Sequence, residues 1–249
     1  MNTFNKIIKL IKTSKKTIVL TGAGISTESG LPDFRSKDGF WTKNKPIQFQ
    51  DYLDNEEQQR LSWSRNIELH EILKKIRPNI GHTFVEKIVN LNNKENFLIT
   101  QNIDGLHQRS GVSEDKIIEI HGNAIDARCL KCGETADILD FHAAIKANNP
   151  LPKCINCNGI VKVATISFGQ PMNESDMLKA SKISSECELM IVMGSSLSVM
   201  PAGQIPNLAI KSGAKLVILN REETIYDAMA DIVINDELEI ICGELIKLI

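Results

Sequence analysis

Four cysteines form the most specific chemical pattern in this sequence. Cys129 and Cys132 flank two residues, as do Cys154 and Cys157, and 21 residues separate the two pairs. Each C-x-x-C pair places two thiolates on one tight turn, and two such turns can complete a tetrahedron around zinc. Four sulfur ligands leave no coordination position for water or substrate. The pattern therefore predicts one structural zinc.

The cysteine pattern has two other interpretations. Separate redox dithiols would be expected to open helices in strand–helix–strand units, and neither pair is placed in that way. A zinc ribbon alone could also serve a nucleic-acid-binding module, so the quartet does not define a function. The remaining cysteines, Cys187 and Cys242, stand alone and are expected in the core.

A glycine-rich turn follows an apolar segment near the N-terminus. The stretch from Val19 to Thr27 contains G-x-G-x-x-T, with Gly22 and Gly24 directly after the apolar run. Such glycines allow backbone N–H groups to approach a pyrophosphate, although a turn that needs two glycines has the same appearance. A dehydrogenase would also need an acidic residue about 20 positions on. Residues 40–45 have a loop composition instead, which disfavours a dehydrogenase.

One histidine lies at a position suited to proton transfer. His121 directly follows the apolar run 117–120 and precedes Gly122. An imidazole titrates near neutral pH, which suits a general base, although a histidine at the end of a strand is more often structural. His82 and His107 are interpreted as structural.

Short apolar runs must provide the elements that position these residues. Runs of this kind alternate with helical patterns, which predicts a parallel sheet covered on both faces. Such a doubly wound sheet would be built from both ends of the chain and interrupted by a small metal-bound module. Strands are expected at 17–20, 97–100, 117–120, 188–193, 215–219 and 231–234, and helices at 5–11, 50–76 and 83–91.

The bulk properties are those of an ordinary globular protein. The chain has 249 residues, 42% apolar, and a formal net charge of −2. This charge provides no basic field for nucleic acid or an anionic membrane, so neither partner is expected. Lysines interrupt the first 20 residues, which excludes a signal peptide pattern, and no apolar run is long enough for a membrane span. A cytoplasmic location is therefore expected.

Motifs that are ambiguous alone become specific when they are taken in order. Their order and spacing resemble the sirtuin family over most of the chain, from about Lys16 to Leu238. The resemblance is carried by 21–26 (TGAGIS), 30–36 (GLPDFRS), 39–41 (GFW), 100–104 (TQNID), His107, 121–122 (HG), the four cysteines, 168–169 (FG), 194–197 (GSSL) and Asn220.

This resemblance implies an α/β fold, a Rossmann-like doubly wound parallel sheet with a smaller zinc-binding and helical domain. Residues 1–35, 80–125 and 160–249 would form the NAD-binding domain. The helical insert 36–79 and the zinc-binding module 126–159 would form the small domain, with NAD and acyl-lysine meeting in the cleft between the two.

The resemblance also implies the residues that contact NAD. Asn220 would replace the missing dehydrogenase carboxylate at the adenosine ribose, and Leu238 is assigned to adenine by register alone. The implied NAD-contacting positions are Gly22, Ala23, Gly24, Thr27, Asp33, Phe34, Arg35, Gln101, Asn102, Ile103, Asp104, His121, Gly194, Ser195, Ser196, Asn220, Glu222 and Leu238.

The implied reaction is NAD-dependent removal of acyl groups from protein lysines, giving nicotinamide and 2′-O-acyl-ADP-ribose. The acyl oxygen would attack the ribose as nicotinamide leaves, and His121 would then remove a proton from a ribose hydroxyl. Asp104 would bind the carboxamide of nicotinamide, Asn102 would order ribose or water, and Phe34 would separate nicotinamide from ribose. ADP-ribosyl transfer to another acceptor is an alternative on the same scaffold.

The substrate side follows from the same resemblance. Segments 163–170 and 196–199 could provide two strand edges between which an acyl-lysine peptide inserts as an added strand. Gln170 replaces the glutamate more usual after the Phe-Gly of the family. Members that favour succinyl-lysine carry W-x-x-Y-x-x-R in the helical insert, whereas Trp63 is followed at these offsets by Asn66 and Leu69. An acidic acyl group is therefore disfavoured, and neutral acyl groups, including longer ones, remain possible.

Overall fold

The main sheet is parallel throughout and contains strands from both ends of the chain. A computed structural model describes residues 2–33 and 44–249, and within them the sheet has the order β3-β2-β1-β7-β8-β9. All neighbouring strands in it pair in parallel. Its strands are β1 (Thr17–Thr21), β2 (Phe97–Thr100), β3 (Ile117–Glu119), β7 (Leu189–Met193), β8 (Lys215–Leu219) and β9 (Ile232–Ile234).

These strands form because most of their side chains are buried, above all in the central strands. All five residues of β1 and all five of β7 are inaccessible to solvent or nearly so. Alternate side chains of the strands enter two separate apolar clusters, one on each face of the sheet. A sheet buried on both faces requires continuous apolar runs rather than alternation. The six predicted strands are therefore confirmed to within two residues.

Helices cover both faces of this sheet. The first helix and the last pack together in one of the two apolar clusters, so the two ends of the chain meet there. The α-helices of the described residues are α1 (Thr3–Thr13), α2 (Phe49–Asp54), α3 (Glu56–Leu73), α4 (Ile80–Val89), α5 (Leu106–Arg109), α6 (Leu139–Lys146), α7 (Glu174–Ser185), α8 (Ile205–Lys211) and α9 (Leu238–Ile246).

The single helix predicted at 50–76 is wrong. Asn55 lies in extended backbone between α2 and α3, and its side-chain oxygen accepts hydrogen bonds from the N–H groups of Glu57 and Gln58. Asparagine side chains compete for backbone N–H groups in this way and favour helix N-caps. The insert therefore consists of two helices that pack against each other.

The cysteine-containing region forms a second, smaller sheet. Strands β4 (Asp126–Cys129), β5 (Thr135–Asp137) and β6 (Val161–Val163) pair antiparallel in the order β5-β4-β6. A small apolar cluster joins this sheet to α3 through Trp63, which is fully buried. The insert and the cysteine region therefore pack together, and the exact domain boundaries stay a prediction. None of the helices within 2–33 and 44–249 is long and apolar enough to cross a bilayer.

Candidate functional site

The predicted site residues meet in one cavity of about 700 Å³. Strands β1, β2, β3, β7 and β8 all point their carboxyl ends at this cavity, which is where parallel α/β sheets bind ligands. Strand order reverses in sequence between β1 and β7, and the cavity lies at that switch point. Of the positions predicted to contact NAD, those that lie in the described residues and line the cavity are Gly22, Ala23, Gly24, Thr27, Asp33, Gln101, Asn102, Ile103, Asp104, His121, Gly194, Ser195, Ser196, Asn220, Glu222 and Leu238.

The floor at the switch point is made of backbone packed against backbone. The N–H of Gly24 donates to the carbonyl of Gly194 at 2.9 Å, and the N–H of Gly22 donates to Met193 at 3.1 Å. A Cβ at Gly22 would lie 2.7 Å from the Gly194 oxygen, and Gly194 itself has φ +62°. Glycine is required at these positions because any side chain would force the two strand ends apart.

Three buried polar side chains form a network on the β2 side. The Ser26 hydroxyl donates to Asp104 Oδ2 at 2.7 Å and accepts from Asn102 Nδ2 at 3.1 Å. Burial raises the pKa of Asp104, although hydrogen bonds from the Leu106 N–H and from Ser26 counteract it. The Oδ1 atom of Asn102 is buried and has no hydrogen-bond partner among residues 2–33 and 44–249. A buried acceptor without a donor is costly unless a ligand or water supplies one.

His121 is oriented by a backbone carbonyl that follows the neighbouring strand β2. Its Nδ1 lies 3.1 Å from the Gln101 carbonyl, and because a carbonyl can only accept, Nδ1 carries the proton. The lone pair of the neutral ring therefore resides on Nε2. The His121 carbonyl accepts from the N–H of Ile166 at 2.8 Å, which links this residue to the segment after β6.

The other histidines near the network have structural contacts. His82 caps α4 together with Asn79, and His107 Nε2 lies 3.0 Å from the Thr21 hydroxyl. Burial lowers the pKa of His82 to about 4 and that of His107 well below its usual value. Both rings are therefore neutral at pH 7, in agreement with the structural roles expected for them.

Serines of the turn after β7 also line the cavity. Ser195 accepts from Gln101 Nε2 at 2.8 Å and from the N–H of Leu197 at 3.2 Å. Ser196 is exposed, and its hydroxyl lies 2.9 Å from that of Ser198. Ala23 and Thr27 lie opposite, in a short 3₁₀ helix whose Thr27 hydroxyl donates to the Gly24 carbonyl at 2.9 Å.

The far end of the cavity carries charged groups. Asn220 Nδ2 donates to the Glu222 carbonyl at 2.7 Å, which shapes the turn after β8. Arg221 forms ion pairs with Glu222 at 3.8 Å and Glu237 at 3.6 Å. Leu238 begins α9 and is almost completely buried in the core, although it borders the cavity. Phe34 and Arg35, with the motif at 39–41, lie outside the described residues.

The wall opposite the main sheet comes from the small sheet and the insert. Segments 163–170 and 196–201 border the cavity, but only Val163 of the predicted strand edges lies in a strand. Phe168 forms a single parallel bridge with Gln48. Asn66 is buried in α3, where its amide donates to the Ala124 carbonyl at 3.0 Å and its oxygen lies 3.1 Å from His142 Nε2.

The four cysteine sulfurs converge as the spacing predicts. All lie within 4.8 Å of one another, with separations of 3.5 Å for Cys129–Cys157 and 3.6 Å for Cys132–Cys154. A tetrahedron with Zn–S bonds of about 2.3 Å has sulfur–sulfur edges of about 3.8 Å. Backbone hydrogen bonding, with Cys132 the largest cause, lowers the pKa of Cys129 to about 6. The residues present therefore fit a structural zinc.

Sequence reasoning gave no site role to Ser26 or Arg65, although both line the cavity. Ser26 is expected from its type to cap a helix, yet it bonds the side chains of Asn102 and Asp104. Its position inside the glycine-rich motif was the available signal. Arg65 also borders the cavity and donates to the Lys45 carbonyl at 2.9 Å. It directly precedes Asn66, one of the two positions considered for acyl selectivity, and carries no motif of its own.

The fold and the site define a dinucleotide-binding α/β protein with a zinc-binding module. The model of the Sir2 family matches residues 22–201. The NAD-dependent protein deacetylase 1 of Bradyrhizobium diazoefficiens is 44% identical over 92% of this chain and 89% of that protein. The NAD-dependent protein deacetylase of Sulfolobus acidocaldarius is 36% identical over 97% and 93%. The chain belongs to the Sir2 family.

Solved structures of this family have the same architecture. A Sir2 complex with p53 peptide and NAD⁺ is 32% identical and superposes with a TM-score of 0.86, covering 99% of this chain and 98% of that one. A Sir2 bound to an acetylated peptide is 30% identical, with the same TM-score and coverage. The expected fold class, including the parallel sheet and the cysteine cluster, is thereby confirmed.

Proposed function

We propose that this chain is an NAD-dependent protein-lysine deacetylase that uses NAD as co-substrate and one structural zinc. The reaction consumes acyl-lysine, NAD and one water and gives lysine, nicotinamide and 2′-O-acyl-ADP-ribose. The observation that carries the proposal is the cavity at the switch point, where His121 and the network of Ser26, Asn102 and Asp104 face the glycine-lined floor. The relatives above are named deacetylases, so ADP-ribosyl transfer to another acceptor is not favoured.

The residues present fit NAD. Gly22, Gly24 and Gly194 line the cavity without side chains, which leaves room for a pyrophosphate beside the backbone. The Oδ1 of Asn102, which has no donor among the residues that the structure describes, can accept from an amide or hydroxyl of the ligand. When bound, NAD supplies an activated ribose carbon, because nicotinamide is a good leaving group.

His121 acts as general base in this proposal. Its Nδ1 proton is engaged by the Gln101 carbonyl, so Nε2 is the atom that takes a proton from a ribose hydroxyl. Asp104 stays in place through Ser26 and the Leu106 N–H, and it would accept from the nicotinamide carboxamide. Asn102 would order a ribose hydroxyl or water. Ser195, Asn220 and Glu222 would hold phosphate and ribose, and Leu238 is proposed beside adenine.

The substrate would be an acyl-lysine in an extended peptide segment, placed as an added strand between 163–170 and 196–199. Both segments border the cavity and have irregular backbone beside it, which leaves groups for main-chain hydrogen bonds. Gln170 turns its Oε1 back to the Ser167 N–H at 3.1 Å. The amide carries no charge, so attraction for basic peptides is expected to be weak. A cytoplasmic location stays a prediction from the sequence.

The test is nicotinamide release with NAD, measured with and without an acetyl-lysine peptide. Release that depends on the peptide, together with free lysine product by mass spectrometry, supports the proposal. Release that is equal with acetylated and unmodified peptide would contradict it. ADP-ribose found on the peptide would instead identify a transferase.

Acyl selectivity is expected to favour neutral groups. Both polar atoms of Asn66 are used within the protein, and Leu69 offers no donor to an acyl carboxylate. A carboxylate buried without a partner costs at least about 3 kcal/mol, or about 100-fold in kcat/KM. A longer alkyl chain gains about 0.8 kcal/mol per buried CH₂.

This selectivity is checked by kcat/KM on one peptide carrying acetyl, butyryl, myristoyl or succinyl lysine. Succinyl turnover equal to acetyl turnover would mean that a cation reaches the acyl group. Arg65 is a cation that borders the cavity directly before Asn66. An Arg65→Gln variant then decides, because loss of succinyl turnover with acetyl turnover kept would identify it.

A further inference from the structure

Lys162 is a buried lysine beside the active-site cavity that the reaction above does not use. It lies in the centre of β6, and 1% of it is exposed. Its Nζ donates to the Thr165 carbonyl at 2.5 Å and to the Val163 carbonyl at 3.2 Å, and it lies 3.4 Å from the Thr165 hydroxyl. The amine therefore binds the backbone of the residues that directly follow it in the chain, 163–165.

Burying an amine at this position lowers the stability of the fold. Burial lowers the pKa of Lys162 to about 7. In the part of the chain that the structure describes, no carboxylate lies within ion-pair distance of its Nζ. The face of the Tyr52 ring is 5.7 Å from the amine and gives partial compensation. An apolar side chain would be cheaper to bury, so the amine requires another explanation.

The contacts of Lys162 lead into the cavity wall. Val163 and Thr165, whose carbonyls it binds, both line the cavity. The next residue, Ile166, donates its N–H to the His121 carbonyl at 2.8 Å. The segment is held at its other side by Ala164, whose N–H donates to Asp126 at 2.8 Å. Lys162 therefore fixes the stretch that joins the small sheet to His121.

We infer that Lys162 is a positioning residue that holds segment 163–166 in the shape that receives the acyl-peptide. The inference rests on the proposed function, because that function places the peptide against this segment. Lys162 does not contact the reacting atoms. Without its amine, the Thr165 carbonyl is free to turn toward solvent or toward the peptide, and the wall of the cavity loses its defined shape.

The experiment compares Lys162→Met with the unmodified chain in steady-state kinetics. Methionine keeps most of the buried volume and removes the donors. The KM for the acetyl-lysine peptide is expected to rise about tenfold, the loss of about one hydrogen bond. The KM for NAD is expected to stay within about twofold, because the NAD side is built from other strands. Lys162→Arg, which restores donors, is expected to recover most of the peptide KM.

Two control variants separate positioning from general loosening. Tyr52→Phe removes the hydrogen bond from the Tyr52 hydroxyl to the Val161 carbonyl (3.2 Å), which lies in the same strand but away from the cavity. Lys146→Met removes an exposed lysine of α6. Both should leave the peptide KM unchanged. A peptide KM raised equally by Tyr52→Phe, or unchanged in Lys162→Met, would overturn the inference.

The failure of the proposed function is distinguishable from the failure of this inference. If the unmodified chain releases no nicotinamide with any acyl-peptide, the proposed function fails, and amide hydrogen exchange of 163–170 still tests Lys162. Faster exchange confined to that segment in Lys162→Met, with zinc content unchanged, supports positioning. Lys162→Gln, one atom too short to reach Thr165, replaces the methionine variant if that variant does not fold. If neither folds, Lys162 serves the fold as a whole and the inference is wrong.

Discussion

His121→Ala is expected to lower kcat for deacetylation by about 10³- to 10⁴-fold, the full contribution of a general base. The Gln101 carbonyl holds the proton on Nδ1 of His121. The basic nitrogen of the neutral ring is therefore Nε2. Alanine leaves the backbone contacts of this residue intact, including the bond from Ile166. Both KM values should therefore change little. The measurement is lysine formation with saturating NAD and peptide.

A second readout separates His121 from binding. In the proposed reaction the histidine acts after nicotinamide has left the ribose, so exchange of labelled nicotinamide into NAD should persist in the alanine variant. Retained exchange with lost deacetylation shows that the cavity still binds both substrates. His70→Ala serves as the control, because His70 lies in α3 and is absent from the cavity lining. Deacetylation at the normal rate in a folded His121→Ala protein would contradict the assignment.

The sheet could be predicted because its strands obey one physical rule. The central strands β1 and β7 are buried on both faces, so their sequences are apolar runs that can be recognised without knowledge of the neighbouring strands. The order of motifs then placed the functional residues directly after these runs, at the ends of β1, β2, β3, β7 and β8. Because carboxyl ends of parallel strands lie at one edge, the meeting of these residues followed from the topology.

Contacts between distant parts of the chain could not be predicted in the same way. Ser26 reaches Asp104 across 78 positions, and Asn66 reaches His142 across 76. No local periodicity encodes such pairs, since each depends on how the insert and the small sheet are placed. Polar side chains at such positions look like ordinary caps or surface residues in the sequence. The residues that support the site were therefore the ones missed.

Lys162 is the clearest case of a misleading pattern. In Val161-Lys162-Val163 a lysine between two valines indicates a strand with one solvated face. The structure buries all three residues, because Tyr52 of α2 and the loop that follows β6 cover the second face of the strand. Burial of Lys162 depends on its contacts with Tyr52 and Thr165. The sequence of the strand does not predict either contact.

Zinc removal is expected to abolish activity although the metal lies outside the cavity. The small sheet has an apolar core that includes Cys129 and Cys154 themselves, with few large side chains besides Trp63. A core of this size does not hold a fold alone, so metal binding supplies much of its stability. Gly159 confirms how closely the chain surrounds the sulfurs, because a Cβ there would lie 2.9 Å from Cys129 Sγ.

Loss of this module would reach the active site by two routes. His142 in α6 would no longer hold Asn66, which in turn bonds the Ala124 carbonyl three residues after His121. Segment 163–166, which continues from β6, would lose its anchor to the small sheet. The main sheet has its own apolar clusters on both faces and should stay folded. The expected state is a protein with an intact main sheet and a disordered small module.

Cys129→Ala and Cys154→Ala are therefore expected to bind less than a tenth of one zinc per chain and to lose at least about 100-fold in activity. Unmodified protein should contain one zinc per chain by elemental analysis. Amide exchange should become fast in residues 126–163 and remain slow in β1 and β7. The matched controls are Cys187→Ala and Cys242→Ala, since both remove a buried thiol outside the quartet. Full activity in a zinc-free quartet variant would contradict a structural metal, because the cavity wall would then hold its shape without it.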